Sequence, residues 1–310
     1  MTEQERKIYD TIFNNAVLFL HRGIREVLTH NDRKDSPLNG ETGIVTTLFM
    51  QMSIELALKA FLIKEQGVRS ILLSRYQNKT DEYIFEKFEN NTLHTKKYND
   101  LKQILTNNES LTWFSETHFD HLEQFQQFRN KLVHLNLFLG EADLYDLKYE
   151  IIYVIVHIIV PLLSEISFEF ETPTEFYQTH LNKEEYKKLI SFRPYVDEME
   201  KLAKDFTGLN YYCPECYQKT YSPENDLCYC CNLNFEYAVE YTSCIVCNEK
   251  KSVIFDPHNI AINNHVINGL CLNCETKIMV HKCPECGIAY SFFGRDELKK
   301  CTPEKCYYED

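Results

Sequence analysis

The sequence predicts a mainly α protein in which a helical bundle is followed by a small, β-containing module. Three observations lead to this fold class. Apolar residues recur at helical spacing through the first half of the 310-residue chain, all 13 cysteines follow residue 212, and short β-prone runs alternate with those cysteines. The length favours two domains, because one small core does not organise so many residues.

Four long helices are expected in the first domain. Apolar positions recur every three or four residues in each, and glycine, a common residue just past a helix C-terminus, follows the second and third. The expected spans are 4–29, 44–66, 117–139 and 141–164, with short helical pieces and polar turns at 68–112. Two more short helices are expected in a connector. The predicted domains are therefore 1–166, a helical connector at 167–208, and 209–310.

Charge and hydropathy limit the classes of function. The formal net charge of −13 argues against general electrostatic attraction to nucleic acid. The most apolar run, 151–163, has 13 residues, too few to cross a bilayer, and is better interpreted as a core helix. The first residues are charged and do not resemble a signal peptide. We expect a cytoplasmic protein with no membrane partner.

The cysteines of the second domain have the spacing of metal ligands. Most form Cys-x-x-Cys pairs, and two such pairs supply the four sulfurs of a tetrahedral site. Without an export signal, metal ligation is favoured over disulfides. The three predicted sets are Cys213, Cys216, Cys228 and Cys231; Cys244, Cys247, Cys271 and Cys274; and Cys283, Cys286, Cys301 and Cys306.

Zn²⁺ at two to three structural sites is the expected cofactor of this zinc-ribbon domain. Four protein ligands leave no open position for catalysis, so no metal is expected in the chemistry. Iron–sulfur ligation is the alternative. Cys230 could replace Cys231, His258, His265 or His281 could replace a cysteine, and crossed pairings between neighbouring sets stay open.

One segment of the third long helix carries residues suited to RNA cleavage. Arg129 and His134 are separated by four residues, and Asn130 follows the arginine. Arginine binds phosphate and its developing charge, and histidine moves protons near neutral pH. Asn130 and His134 share a helix face, and Arg129 lies about 140° from His134, from where its length lets it swing back. These three are the candidate catalytic residues.

The second long helix carries a polar line on an otherwise apolar element. Its members are Thr47, Gln51, Glu55 and Lys59, four residues apart. Such a line is either a solvated face or the wall of a cleft. Glu55 and Lys59 are candidate cleft residues, with Lys59 contacting the RNA backbone, and an i,i+4 salt bridge between them is the alternative.

The segment from Arg129 to His134 (RNKLVH), with Ser53 to Ala60 (SIELALKA) on the earlier helix, resembles HEPN domains. These are helical bundles that bear an arginine, four to six residues, and then a histidine. The resemblance covers residues 1–165. Together with the cysteine spacing, it implies a mainly α fold in which an N-terminal HEPN-type helical bundle is followed by a small β-containing zinc-ribbon domain.

The resemblance also implies an activity. Many HEPN proteins are metal-independent endoribonucleases of bacterial toxin–antitoxin and anti-phage (abortive infection) systems, and they dimerise so that two motif helices form one composite site. For this chain it implies an RNA substrate (tRNA or mRNA), a homodimer, and an antitoxin or phage-derived trigger protein as partner. The RNA 2′-OH would attack the adjacent phosphate, with His134 as base or acid, Arg129 stabilising charge and Asn130 orienting the histidine or the phosphate.

A non-catalytic interpretation stays open. The bundle would then be a degenerate HEPN scaffold or antitoxin-binding partner, or a dimerisation handle for ribbons that bind nucleic acid. Residues 206–310 hold nine Lys or Arg against 14 Asp or Glu, a formal net charge of −5, so a basic surface is not evident. Lys250 with Lys251 and Lys299 with Lys300 are small basic patches.

Overall fold

The chain is mainly α, with a separate small antiparallel β region that contains the cysteine clusters. A computed structural model describes residues 1–29, 36–105, 111–134, 139–168, 173–207, 210–234, 239–262, 266–284 and 286–292. Its contacts divide the chain into two compact units, Met1–Tyr195 and Val196–Asp310. This division falls inside the predicted connector, 167–208, most of which belongs to the first unit.

The first unit contains the four long helical elements that were expected, with two short helices inserted before the third. The long elements are α1 (Glu3–Thr29), α2 (Gly40–Gln66), α5 (Glu116–His134) and α6 (Glu141–Val154), which a π turn (Ile155–Ile159) joins to α7 (Val160–Ile166). The inserted helices are α3 (Asp81–Glu89) and α4 (Tyr98–Leu105), after two 3₁₀ turns. The connector holds α8 (Pro173–His180), α9 (Lys183–Leu189) and α10 (Arg193–Thr207), one helix more than predicted.

The second helix, α2, begins four residues before its predicted start. The side chain of Asn39 accepts a hydrogen bond from the Thr42 N–H at 2.7 Å, which caps the first turn of the helix. The prediction began at Ile44, where the apolar pattern starts. Gly67 ends α2 as expected, with φ of +79° and its N–H bonded to the Ile63 carbonyl at 2.9 Å.

Helix α5 packs on α2 and α6 through an apolar stripe. Leu122, Phe125 and Leu132 are at most 5% exposed, as the sequence predicted for this side of the helix. A Cβ built on Gly43 of α2 would lie 3.7 Å from Leu132 and 3.2 Å from Leu147 of α6. The start of α2 is therefore next to the end of α5.

The apolar helix near the end of the bundle is longer than the 13-residue run implied. Within the described residues, Gly40–Gln66 and Glu141–Ile166 are long and apolar enough to span a membrane. In their most apolar windows 56% and 83% of residues are buried, as in core helices of soluble proteins. The π turn precedes Pro161, which has no N–H for the carbonyl four residues earlier and so disturbs regular α-helical bonding.

The second unit contains a two-stranded hairpin and a five-stranded antiparallel sheet. The hairpin is β1 (Tyr221–Ser222) and β2 (Leu227–Cys228); the sheet has the order β3 (Glu240–Thr242), β4 (Val253–Phe255), β5 (Val266–Cys271), β6 (Lys277–Lys282) and β7 (Ala289–Phe292). A short helix, α11 (Pro257–Ile262), lies between β4 and β5.

The two edges of the five-stranded sheet, β3 and β7, approach each other. The Thr242 hydroxyl donates to the Ala289 carbonyl at 2.7 Å, and the Ser291 hydroxyl donates to the Ser243 carbonyl at 2.6 Å. The Lys282 ammonium also bonds to the Glu240 carboxylate at 2.7 Å. These contacts cover edge groups that would otherwise be open to another strand.

Gly269 in β5 is required by close packing on both sides. A Cβ there would lie 2.7 Å from Cγ1 of Val253, 2.8 Å from Cγ2 of Val280 and 3.1 Å from the Ile254 carbonyl oxygen. We expect Gly269→Ala to destabilise the second unit by about 1–3 kcal/mol, because neighbouring strands must move apart. The measurement is urea denaturation of the purified protein, followed by amide exchange of the strands. Asn268→Ala, at the exposed neighbouring position, is the control, and equal midpoints for both variants would contradict the argument.

Candidate catalytic site and metal centres

The predicted catalytic segment forms the end of α5. Arg129 and Asn130 are in contact, because an Nη1 hydrogen of Arg129 is donated to Oδ1 of Asn130 at 3.0 Å. His134 is the last residue of the helix, and its side chain lies outside the described part of the structure. The structure thus brings together two of the three predicted residues and places the third one helical turn further along the backbone.

Arg129 and Asn130 belong to different sides of α5. Arg129 is four residues after Phe125 and seven after Leu122, so it starts from the buried face and is only partly exposed. Asn130 is exposed, as is Gln127 three residues earlier. The guanidinium therefore reaches the exposed amide from the packed side of the helix. Such an arrangement buries Nε of Arg129 and brings its Nη1 end to the exposed amide.

The polar line on α2 is not a solvated face. Thr47 and Lys59 are buried, and Gln51 and Glu55 are partly buried. The Lys59 ammonium bonds to Oε1 of Glu55 at 2.6 Å, which is the i,i+4 salt bridge considered from the sequence. Burial, and then the carboxylates of Glu123 and Glu55, hold the pKa of the buried Tyr98 well above its usual value.

The Glu55–Lys59 pair lies at a different level of the bundle from Arg129. Glu55 of α2 and Glu123 of α5 both raise the pKa of Tyr98, the first residue of α4, so both lie near that residue. Glu123 precedes Arg129 by six residues, or about 9 Å along a helix axis. Glu123 also pairs with the Lys102 ammonium of α4. Each of these charged groups therefore has a partner within the bundle: Glu55 pairs with Lys59, and Glu123 pairs with Lys102.

A chain of histidines and tyrosines connects α5 to α6 and was not predicted. Nδ1 of His121 contacts Oε2 of the buried Glu150 at 2.8 Å, and its ring stacks on Tyr153 at 3.5 Å between centroids. His157, in the π turn, contacts the Tyr195 hydroxyl at 2.9 Å through Nε2. Spacing alone gives little sign of this network, because its members pair across helices.

His118 is uncharged at neutral pH. Burial, and then the neighbouring His121, lowers its pKa to about 4. Its Nδ1 caps the start of α5 by accepting the Ser115 N–H at 3.0 Å. The folded protein binds this proton less readily than an unfolded chain, so His118 removes stability as the pH falls from about 6.5 towards 4.

Two cysteine groups have the geometry of four-sulfur metal sites. They are the first two predicted sets, and within each all four sulfurs lie within 4.8 Å of one another. The Cys213–Cys231 and Cys216–Cys228 separations are 3.8 and 3.6 Å; the Cys244–Cys274 and Cys247–Cys271 separations are 3.9 and 3.7 Å. A tetrahedron with metal–sulfur bonds of about 2.3 Å has edges of about 3.8 Å. Disulfides are about 2.05 Å long and do not fit.

Five cysteine pairs are held by the same backbone turn. In each, the N–H of the first cysteine donates to the carbonyl five residues later, at 2.9–3.0 Å; these cysteines are Cys213, Cys228, Cys244, Cys271 and Cys283. The residue four positions after each of them has φ between 57° and 72°; these are Tyr217, Asn232, Asn248, Glu275 and Gly287. The turn directs both sulfurs of a pair, and the backbone N–H groups around them, towards the same position, where a metal ion could bind.

The structure selects among the ligand alternatives. Cys231, not Cys230, completes the first group, and Cys230 is fully buried beside it. His258 is exposed on α11, and the ring of His281 packs against Tyr290, so neither belongs to a group. Neither group contains a cysteine from a neighbouring set, so the crossed pairings do not occur in these two groups. Cys283 and Cys286 of the third set are described; His265, Cys301 and Cys306 lie outside the described residues.

No protein-family profile, curated protein or solved structure matches this chain.

Proposed function

We propose that the protein is a metal-independent endoribonuclease whose catalytic groups are Arg129, Asn130 and His134. The observation that supports this most is the contact of the Arg129 guanidinium with the Asn130 amide, one turn before His134 on α5. A fixed guanidinium beside an amide suits a phosphate with developing charge. The resemblance to HEPN ribonucleases supplies the rest of the argument.

The proposed reaction is transesterification within RNA. His134 removes the proton of the 2′-OH, which attacks the adjacent phosphorus, and the P–O5′ bond breaks to leave a 2′,3′-cyclic phosphate. A second histidine returns a proton to the 5′ oxygen, which leaves as a hydroxyl. Arg129 stabilises the charge on the non-bridging oxygens, and Asn130 holds the guanidinium in place.

The second histidine is proposed to come from another copy of the chain. An exposed apolar line on α2 is formed by Ile44, Leu48 and Met52, which are 38%, 39% and 45% exposed and four residues apart. Ile44 follows Gly43, which packs near Leu132 at the end of α5. Pairing through this line would bring two motif helices close together.

We expect Leu48→Glu to convert the dimer to a monomer, because a carboxylate in an apolar interface loses its hydration without gaining a partner. Sedimentation equilibrium of both proteins measures the mass. Thr11→Glu, at an exposed position of α1, adds the same charge as a control. A wild-type protein that cuts RNA as a monomer would refute the composite site.

Zinc is the proposed metal of the two cysteine groups, because four thiolates at tetrahedral distances suit Zn²⁺ and leave no position for substrate. A third site is proposed at Cys283 and Cys286, completed by Cys301 and Cys306. Its support is the Cys283 turn, which repeats the turn found in both groups.

The third site has a direct test. We expect the purified protein to contain three zinc ions per chain and the Cys283→Ser variant to contain two. The variant should lose one ion because a site with three of its four thiolates does not bind zinc stably. Elemental analysis by mass spectrometry gives the ratio. Cys230→Ser is the control and should keep three. Two ions in the wild type would show that Cys283 and Cys286 bind no metal.

The biological setting is part of the proposal and rests on the resemblance alone. We propose a cytoplasmic toxin or abortive-infection protein that cuts tRNA or mRNA and is controlled by an antitoxin or a phage-derived trigger. The activity is tested by incubating the protein with total RNA, with and without chelator, and analysing new 3′ ends. Cyclic phosphate ends are expected in both samples. Cleavage of a fully 2′-deoxy substrate at the same rate would exclude the 2′-OH as nucleophile and reject the mechanism.

A further inference from the structure

The two cysteine groups have the same geometry but differ in their exposure to solvent. In the first group, which begins at Cys213, no cysteine is more than 6% exposed. In the second group Cys244 and Cys271 are buried, whereas Cys247 and Cys274 are partly exposed. A reagent in solution therefore has access to cysteines of the second group that have no counterpart in the first.

The turn that carries Cys247 is open to solvent on both sides of this cysteine. Ile245 and Val246, which lie between the two cysteines of the pair, are 46% and 43% exposed. Asn248, which follows Cys247, is exposed as well. Accessible thiolates are the ones that small oxidants modify, so this turn is the most open approach to the sulfurs of the second group.

Each partly exposed cysteine faces a buried cysteine of the opposite pair. Sγ of Cys247 is 3.7 Å from Sγ of Cys271, and Sγ of Cys274 is 3.9 Å from Sγ of Cys244. A disulfide bond is about 2.05 Å long, so the two sulfurs of each contact have to approach by about 2 Å to form one. An accessible sulfur thus lies beside a second sulfur that can react with it, and this arrangement occurs twice.

We propose that the second cysteine group is an oxidation site for hydrogen peroxide and other small peroxides. The proposal rests on zinc as the metal of this group, because a zinc-bound thiol is deprotonated and is then a nucleophile. The Cys247 thiolate attacks one peroxide oxygen, the O–O bond breaks and hydroxide leaves, which produces a sulfenic acid. The Cys271 thiolate then attacks that sulfur, the S–O bond breaks and a second hydroxide leaves, which produces a disulfide.

This reaction removes the ligands of the metal. Two thiolates lose two electrons, and one peroxide is reduced to two hydroxide ions. Cys274 and Cys244 react with a second peroxide in the same way, and the two disulfides leave no thiolate to hold the metal. Cys244 and Cys271 also belong to the hydrophobic core of the second unit, so oxidation loosens the five-stranded sheet while the first group keeps its metal.

The test is peroxide treatment of the purified full chain, after its zinc content has been measured. Released zinc is followed with a colorimetric chelator, and the cysteines are mapped by alkylation in denaturant and mass spectrometry at each time. We expect the second group to be oxidised about tenfold faster than the first, as Cys247–Cys271 and Cys244–Cys274 disulfides. Dithiothreitol with added zinc should restore the reduced protein and its zinc content.

A double variant removes the accessible thiolates without removing the site. Cys247→His combined with Cys274→His leaves two cysteines and two histidines, a ligand set that also binds zinc. The fast phase of zinc release should be smaller by one ion per chain in this variant. Cys230→Ser changes a buried cysteine outside both groups and should behave like the wild type. If the double variant binds no zinc, the comparison of the two groups within the wild-type chain decides.

The outcomes separate this inference from the zinc assignment and from RNA cleavage. A purified protein without zinc would reject the metal and this oxidation site together. A zinc-containing protein whose two groups are oxidised at the same rate would overturn the oxidation site alone. Conversion of Cys247 to a sulfinic or sulfonic acid without a disulfide would also overturn it. The rate of RNA cleavage enters none of these measurements.

Discussion

Removal of the proposed zinc ions is expected to unfold the second unit and to leave the helices of Met1–Tyr195 intact. The strands of this unit have two to six residues each. Two of the proposed ligands, Cys244 and Cys271, belong to its small hydrophobic core with Val253, Phe255 and Val280. A structural zinc site contributes about 10–16 kcal/mol in small domains, against about 5–15 kcal/mol for the whole stability of an ordinary domain. The core therefore cannot persist once its ligands are released.

This expectation is measured by circular dichroism and amide exchange during titration with a chelator. Helical signal should persist while protection is lost across 210–292. Two adjacent cysteines provide a matched pair of variants. Cys231→Ser removes a ligand and should unfold the unit, whereas Cys230→Ser changes a buried residue outside the group and should cost a few kcal/mol at most. Equal stability of the two variants would show that the cluster does not hold metal.

The second large effect is expected at the end of α5. Arg129→Ala and His134→Ala should each reduce the rate of RNA cleavage by about 10²–10⁴-fold, the usual range for the loss of a general acid–base group or of charge stabilisation. Single-turnover cleavage of a labelled RNA is the measurement. Both variants should keep the helical spectrum and the zinc content of the wild type.

Two further variants make this result specific. Lys131→Ala removes an exposed positive charge from the same turn and should change the rate little. Arg129→Lys keeps the charge but not the planar guanidinium that contacts Asn130, so it should recover only part of the activity. Cleavage by Arg129→Ala at the wild-type rate would remove the arginine from the mechanism and favour the scaffold interpretation.

The sequence predicts those features that depend on neighbours along the chain. The long helices follow from apolar spacing, and Gly67 marks the end of α2 because its backbone needs a positive φ. The two four-sulfur groups follow from Cys-x-x-Cys spacing, since each turn is local. Features that depend on packing were missed, because His121 meets Glu150 only where α5 and α6 are neighbours. The start of α2 was missed for a different reason: the Asn39 cap is local, but the prediction began at the first apolar residue.

The contacts between β3 and β7 determine when the sheet can fold during synthesis of the chain. Thr242, on the first strand of the sheet, donates a hydrogen bond to Ala289 on the last strand. The Ser243 carbonyl likewise has to be joined by the Ser291 hydroxyl, which is synthesised 48 residues later. A nascent chain can fold the bundle early, since domains fold as they emerge. The sheet cannot close until residue 292 has left the ribosome. During that interval its edge strands are open to chaperones and to other nascent chains.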